Sequence, residues 1–188
     1  MRVTGGELCG RRIRAPRVGV RPTADRVRES VFAALDDLEG MAVLDLYAGS
    51  GTLGIEALSR GADSVVFVEH AQRGVAVLRE NLESLELSER ASIYRADAYR
   101  CLRRLRRDGR RFDIVFADPP YDSKESWRVL AELVSEDLLA ADARVVVEHA
   151  RGCPLPPIQG LEHEEERRYG ETVVTRLRRN TPGGTNAA

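Results

Sequence analysis

At 188 residues, with 43% hydrophobic and 31% charged side chains and a formal net charge of −1, the chain has the profile of one globular domain with a proper core, not of a fibrous or disordered protein. No window approaches a membrane span and the N-terminus lacks the apolar stretch of a signal peptide, so a cytoplasmic protein with no membrane partner is expected. Cys9, Cys101 and Cys153 are odd in number, far apart and outside metal-ligand spacings, which argues for a reducing compartment and against a disulfide framework or a bound metal.

The small net charge hides a segregated distribution. Eight arginines stand between Arg2 and Arg28 against Glu7 and Asp25, and seven between Arg100 and Arg111 against Asp108. Acids gather elsewhere, as at 162–166. Lys124 is the single lysine; a codon preference accounts for Arg over Lys, but not for the clustering. A near-neutral chain can thus carry a basic face suited to nucleic-acid phosphates.

Residues 1–22 read as a basic arm, with short β-like pieces at 2–4 and 12–15 around glycines, forming a small hairpin or extended segment. Arg11, Arg12 and Arg14 are its candidate substrate contacts, because a guanidinium offers a fixed fork of donors to phosphate. Residues 23–179 read as one domain. Thr23 is a candidate N-cap, Val27, Val31, Leu35 and Leu38 repeat at helical spacing, and Gly40 closes that helix. Strands are predicted at 42–47, 64–69, 91–96, 112–117 and 144–148. Helices follow the first four: to Ser59, on the Val75-Leu78-Leu82-Leu85 stripe, over 98–107, and on the Trp127-Leu130-Leu133-Val134 stripe. This alternation predicts an α/β fold with a doubly wound, mostly parallel sheet. Residues 162–169 and 171–178 meet at Gly170 as a C-terminal antiparallel hairpin, giving seven strands. Residues 180–188 are polar and Gly-rich, a disordered tail.

After the first strand, Gly49-Ser50-Gly51-Thr52-Leu53-Gly54 matches a Gly-x-Gly-x-x-Gly turn, with Glu69 at the end of the next strand as a ribose-binding acid. A dinucleotide is the usual partner of that pattern. Asp45, inside the strand before the glycines, argues instead for a ligand carrying positive charge. S-adenosylmethionine, with an ammonium and a sulfonium, fits better. Asp97, ending the third strand, can accept from an adenine amine. Asp45, Glu69 and Asp97 thus stand at or near successive carboxyl ends, where open α/β sheets bind ligands.

The fourth strand ends in Asp118-Pro119-Pro120-Tyr121. Two prolines fix φ and remove two donors, so the chain leaves the sheet in a stiff loop. The Asp118 carboxylate and the Pro119 carbonyl can accept both hydrogens of an –NH2 group, and the Tyr121 ring can stack on the flat ring carrying it. Two aimed acceptors turn the nitrogen lone pair towards an electrophile, which is catalysis by positioning and electrostatics. Asp-Pro and Pro-Pro are also common turn punctuation; it is the methyl donor site on the same rim that favours an enzyme.

Leu44-Asp45-Leu46-Tyr47-Ala48-Gly49-Ser50-Gly51 together with Asp118-Pro119-Pro120-Tyr121 resembles the class I, S-adenosylmethionine-dependent amino-methyltransferases. Arg21-Pro22-Thr23 through Asp25-Arg26-Val27-Arg28-Glu29, and Tyr169-Gly170-Glu171-Thr172, are similar to the RsmD type of 16S ribosomal RNA (guanine-N2)-methyltransferase, from about Arg2 to Arg178. The resemblance implies a Rossmann-like methyltransferase fold and transfer of one methyl to N2 of a guanine, base 966, on the 30S subunit or its assembly intermediate. It implies Asp45, Tyr47, Ala48, Gly49, Gly51, Glu69, Asp97 and Ala98 along the donor, with Arg21 and Thr23 closing over it. Asp118 and the Pro119 carbonyl would hold the guanine amine, with Pro120 and Tyr121 against the base. A monomer without metal is expected. The alternatives are a DNA adenine-N6 or protein-amide methyltransferase, a Rossmann dehydrogenase suggested by the glycines alone, and a non-catalytic RNA-binding assembly factor. The dehydrogenase would leave 118–121 without a role.

Overall fold

A computed structural model describes residues 1–14, 22–35, 37–119 and 123–180, with backbone only for 22–25 and 123–126. Arg21, Pro120, Tyr121, the side chain of Thr23 and the tail from 181 therefore lie outside the described residues. Helix α1 (Pro22–Ala33) leads into β1 (Ala42–Leu46), α2 (Thr52–Ser59), β2 (Ser64–Glu69), α3 (Gln72–Ser84), β3 (Ala91–Arg95), α4 (Ala98–Arg107), β4 (Phe112–Ala117), α5 (Ser123–Ser135), β5 (Leu139–Ala150), β6 (Leu161–Tyr169) and β7 (Thr172–Arg179). The strands form one sheet in the order β3-β2-β1-β4-β5-β7-β6. Neighbours among β1 to β5 are parallel, and β7 runs antiparallel between β5 and β6. This is the Rossmann-like class I methyltransferase fold with its antiparallel C-terminal strands.

Register brings the carboxyl ends to one rim. Leu46 pairs with Val68 on one side and Ala117 on the other, and Ala117 pairs with Val147. Strand order reverses between β1 and β4, and that is where an open α/β sheet leaves a crevice for ligand.

Strict alternation along the strands builds two cores. Val43, Ile114, Phe116 and Val146 face a cluster with Val27, Val31, Ile55, Leu58 and Leu78 from α1, α2 and α3. Leu44, Leu46, Val115, Ala117, Val145 and Val147 face a second with Leu102, Leu105, Leu130 and Leu133 from α4 and α5. Both faces are therefore covered, as parallel sheets require.

The N-terminal arm is a small antiparallel clamp: Arg2 bridges Arg12, Val3 N–H donates to Arg11 O, and Ile13 N–H donates to Met1 O. Val3 and Ile13 are buried against the first core, so the arm is packed onto the domain. A polar knot fastens it. Glu56 on α2 accepts from Thr4 N–H (2.8 Å) and Thr4 Oγ1 (2.6 Å), pairs with Arg60, and faces Arg28 Nε of α1 at 3.3 Å. Asn81 on α3 accepts from Arg14 N–H and donates to Arg14 O and Ser50 O.

Several strand ends shift by one or two residues from the sequence reading, and three other boundaries differ. Helix α1 begins at Pro22, the position a helix tolerates proline, so Thr23 lies inside its first turn and does not cap it. It ends at Ala33, although Leu35 and Leu38 stay buried; apolar spacing marks what is core, and the turned backbone after Val31 meets the same core. Strand β5 starts at Leu139, earlier than 144, because Leu139 pairs with Phe112 across a register shift. The mixed residues 140–142 hide that extension. The hairpin turns at Gly170, at φ 65 in the left-handed region.

Candidate active site

The loop after β1 is held in sparsely populated backbone. Tyr47, at φ 60, is a non-glycine residue in the left-handed region, an uncommon state for a bulky side chain and one that collects at ligand sites. Gly51 follows at φ 82, and a Cβ there would fall 2.3 Å from Leu78 Cδ1. At Gly54 a Cβ would meet Phe67 Cε1 at 2.2 Å. These glycines let α2 start directly over β1 and lie close on β2.

Acids pin the loop from below and beside. Glu69 Oε2 accepts from Gly49 N–H (2.7 Å) and its Oε1 from Ala71 N–H (2.6 Å). Asp45 is 2% exposed and accepts from Gly54 N–H near the N-terminus of α2 (2.9 Å). Burial lifts its carboxyl to about 7; the Gly54 N–H opposes that rise, and the nearby charges of Asp118 and Glu69 add to it. Asp45 therefore lies beneath the loop, as a buried acid.

Above the rim opens a cleft of about 800 Å³. Tyr47, Glu69, Asp97, Ala98 and Asp118, five of the residues expected from sequence, line it. Ala48 is buried behind the loop and Gly49 is bound to Glu69. Asp97 also caps α4, accepting from Arg100 N–H at 3.0 Å. Among the further wall residues that escaped the sequence reading are His70, Tyr99 and Arg128. The first two directly follow Glu69 and Ala98, so their positions just past strand ends were available as a signal. Arg128 stacks its guanidinium 5.4 Å from the Tyr99 ring centre, a contact across two helices that local pattern does not encode.

Asp118 also lines a second, smaller cleft of about 140 Å³ on the α1–α2 side, with Thr52, Leu53, Val146 and Glu148. The carboxyl reaches water through the cleft mouth, and protein packed around its other sides lifts it to about 6. Glu148, on β5 just past its last pair with β4, is raised to about 7, by burial first and by the Asp118 charge second. The two acids titrate as a pair. Glu148 was given no role from sequence, although the rule that singled out Asp45, Glu69 and Asp97 applies equally to the end of the fifth strand.

The two arginine clusters have different fates. Arg2, Arg11, Arg12 and Arg14 line an open depression of about 910 Å³ between the arm and the end of α3. Arg11 donates to Ser84 O and Arg14 pairs with Glu80, leaving the Arg14 side chain 75% exposed. On α4, Arg103 pairs with Glu132 and Glu136 of α5 and its following turn and Arg106 with Glu136, and in the loop after α4 Arg111 pairs with Asp137. Much of the expected second basic patch is thus matched by acids on the neighbouring helix. Among the described residues no group of His, Cys, Asp and Glu is arranged to hold a metal ion, and no helix is long and apolar enough to cross a membrane.

The profile of the family described as Conserved hypothetical protein 95 matches residues 1–178. YlbH of Bacillus subtilis is 38% identical over 177 residues, covering 93% of this chain and 96% of that protein. Ribosomal RNA small subunit methyltransferase D of Escherichia coli K12 is 32% identical over 191 aligned positions, covering 100% and 94%. The solved structure of the E. coli yhhF protein superposes with a TM-score of 0.85 at 30% identity, covering 96% of this chain and 98% of that one. The chain therefore belongs to the Conserved hypothetical protein 95 family, the RsmD type of methyltransferase.

Proposed function

We propose that the protein is an S-adenosylmethionine-dependent rRNA methyltransferase acting on the exocyclic N2 amine of a guanine in 16S rRNA, base 966 by resemblance, within the 30S subunit or its assembly intermediate. The observation that carries this reading is Asp118 on the wall common to two clefts; the reading assigns the larger to the donor and the smaller to the base. The names of the relatives, small-subunit rRNA methyltransferases, support the substrate class.

The donor set fits S-adenosylmethionine. Buried Asp45 favours positive charge above it, Glu69 retains acceptor capacity beyond its two backbone bonds for ribose hydroxyls, and Asp97 can take an adenine amine. When bound, the donor supplies an electrophilic methyl on a sulfonium. Asp118 and the Pro119 carbonyl accept the two amine hydrogens and direct the nitrogen lone pair at that methyl, so transfer is one in-line displacement without a covalent intermediate. The N2 proton leaves during or after transfer, and Asp118 is the acceptor at hand. The base must be unstacked to enter. The arginines of the arm, with those of α4 that face solvent, hold phosphates and fix register without reading sequence.

The test is methyl transfer from labelled S-adenosylmethionine to 30S subunits lacking the modification, with naked rRNA, DNA and protein in parallel. N2-methylguanosine from the 30S sample is expected. Label in adenine or in protein moves the substrate; donor binding with no label anywhere makes the chain an assembly factor.

A further inference from the structure

We propose that Glu148 is the specificity-determining residue of the acceptor cleft, its carboxylate accepting the ring N1–H of the target guanine while Asp118 and the Pro119 carbonyl hold the adjoining amine. This deepens the function proposed above and rests on it.

Position is the first argument. Ala117 and Val147 are in register on adjacent parallel strands, so Asp118 and Glu148 emerge side by side. Both continue the face that carries Phe116 and Val146, towards α1 and α2. Both line the same narrow cleft, whose remaining walls include Val27, Val31, Leu53 and Val174: apolar surfaces for a planar ring, with carboxylates at one edge. Arg28, also on that wall, is turned to Glu56 and the Arg2 carbonyl. The Glu148 side chain is half-buried, and its carboxylate takes part in no hydrogen bond among the described residues. The Asp118 charge, which adds to the rise of the Glu148 carboxyl, agrees with their closeness.

Chemistry is the second. An amine-holding loop cannot by itself tell guanine from adenine or cytosine, since each presents an exocyclic amine. Guanine alone sets a ring N–H beside that amine, two donors in a row; adenine and cytosine set a lone pair there. Two adjacent carboxylates match two adjacent donors, and a lone pair facing Glu148 is repelled. A site built to accept a hydrogen rejects the ligand lacking it, because its own acceptor is left buried and unpaired.

The test replaces the methylated guanine by 2-aminopurine in reconstituted subunits. That base keeps the reacting amine but has a lone pair at N1. Wild-type protein should methylate guanine roughly 10- to 100-fold faster than 2-aminopurine. Glu148→Gln, whose amide can face either N1, should lower the guanine rate and shrink the ratio to within about threefold, while S-adenosylhomocysteine binding stays unchanged by calorimetry; the change in ratio separates N1 from the missing O6. An unchanged ratio in the variant, with both bases slowed alike, makes Glu148 structural and overturns the proposal. A wild-type ratio near one overturns it whether or not the variant folds. If wild type makes no N2-methylguanosine at all, it is the proposed function that fails, and this inference falls with it.

Discussion

Replacing Glu56 by alanine should loosen the whole N-terminal arm, because one fully buried carboxylate serves three elements at once. Its side chain has no exposure and its partner Arg28 only 3%. Glu56 accepts from Thr4 N–H and Oγ1, takes Arg60 Nε at 2.9 Å, and offsets the Arg28 charge at 3.3 Å. Alanine would leave a guanidinium in a low-dielectric interior without its counter-charge and strand donors from the arm. Breaking a buried pair in this one-sided way costs about 3–5 kcal/mol, which for a chain of this size lowers Tm by about 6–20 °C. Thermal unfolding by circular dichroism measures the loss, and amide exchange should show lost protection across residues 2–13. The double change Arg28→Met with Glu56→Leu should recover much of it, since an apolar pair of similar volume carries no desolvation cost. A fall of less than about 2 °C in the single variant would refute the idea that this knot holds the arm.

Asp118→Asn should cut methyl transfer by about 10²–10³-fold with S-adenosylhomocysteine binding within a few-fold of wild type; near-normal turnover removes the amine-orienting role. Because that carboxyl sits at about 6 and is the stronger acceptor, and able to take a proton, when ionised, transfer in the wild type should decline as pH falls through that value, read from a rate profile between pH 5 and 8. Asp45 gives a stability signature of known sign. Its folded value of about 7 lies above the unfolded 3.8, so from about pH 4 to 7 the native state holds a proton that the unfolded chain has lost, and stability falls as pH rises across that window. Asp45→Asn should remove up to about 4 kcal/mol of that fall, measured as the difference between urea titrations of the two proteins; parallel profiles would contradict it. Gly54→Ala puts a methyl 2.2 Å from Phe67 Cε1 and 2.9 Å from Val65 Cγ1. It should cost about 1–3 kcal/mol, and an unshifted Tm would show that α2 can lift off the sheet freely.

Much of the fold is legible in the sequence because its signals are local. Strands such as 64–69 and 112–117 are mostly apolar runs, helix α4 is capped by Asp97 at the position its pattern begins, and the glycines sit where a strand turns into a helix. Acids that end strands are legible for the same reason: once the sheet is parallel, every strand end points to one rim. Residue spacing therefore groups Glu69, Asp97 and Asp118 on one rim without any distance being known, and the three line one cleft.

Other features depend on which elements lie beside each other, and chain-local pattern is silent on that. Thirty positions separate Asp118 from Glu148, and only the β4–β5 register makes them a pair. Asp45 looks from sequence like a wall of the cleft; the close seating of α2 on β2 puts it underneath, held by Gly54 N–H. The arginines of α4 read as a free basic face until α5 brings Glu132 and Glu136 against them. Sequence by itself determined the order of elements, the rim and the residue types that can meet a cationic donor and an amine, since these follow from periodicity and backbone propensity. Tertiary structure alone decided which charges are buried, paired or left facing a ligand, because desolvation and Coulomb energy depend on distances through space and not along the chain.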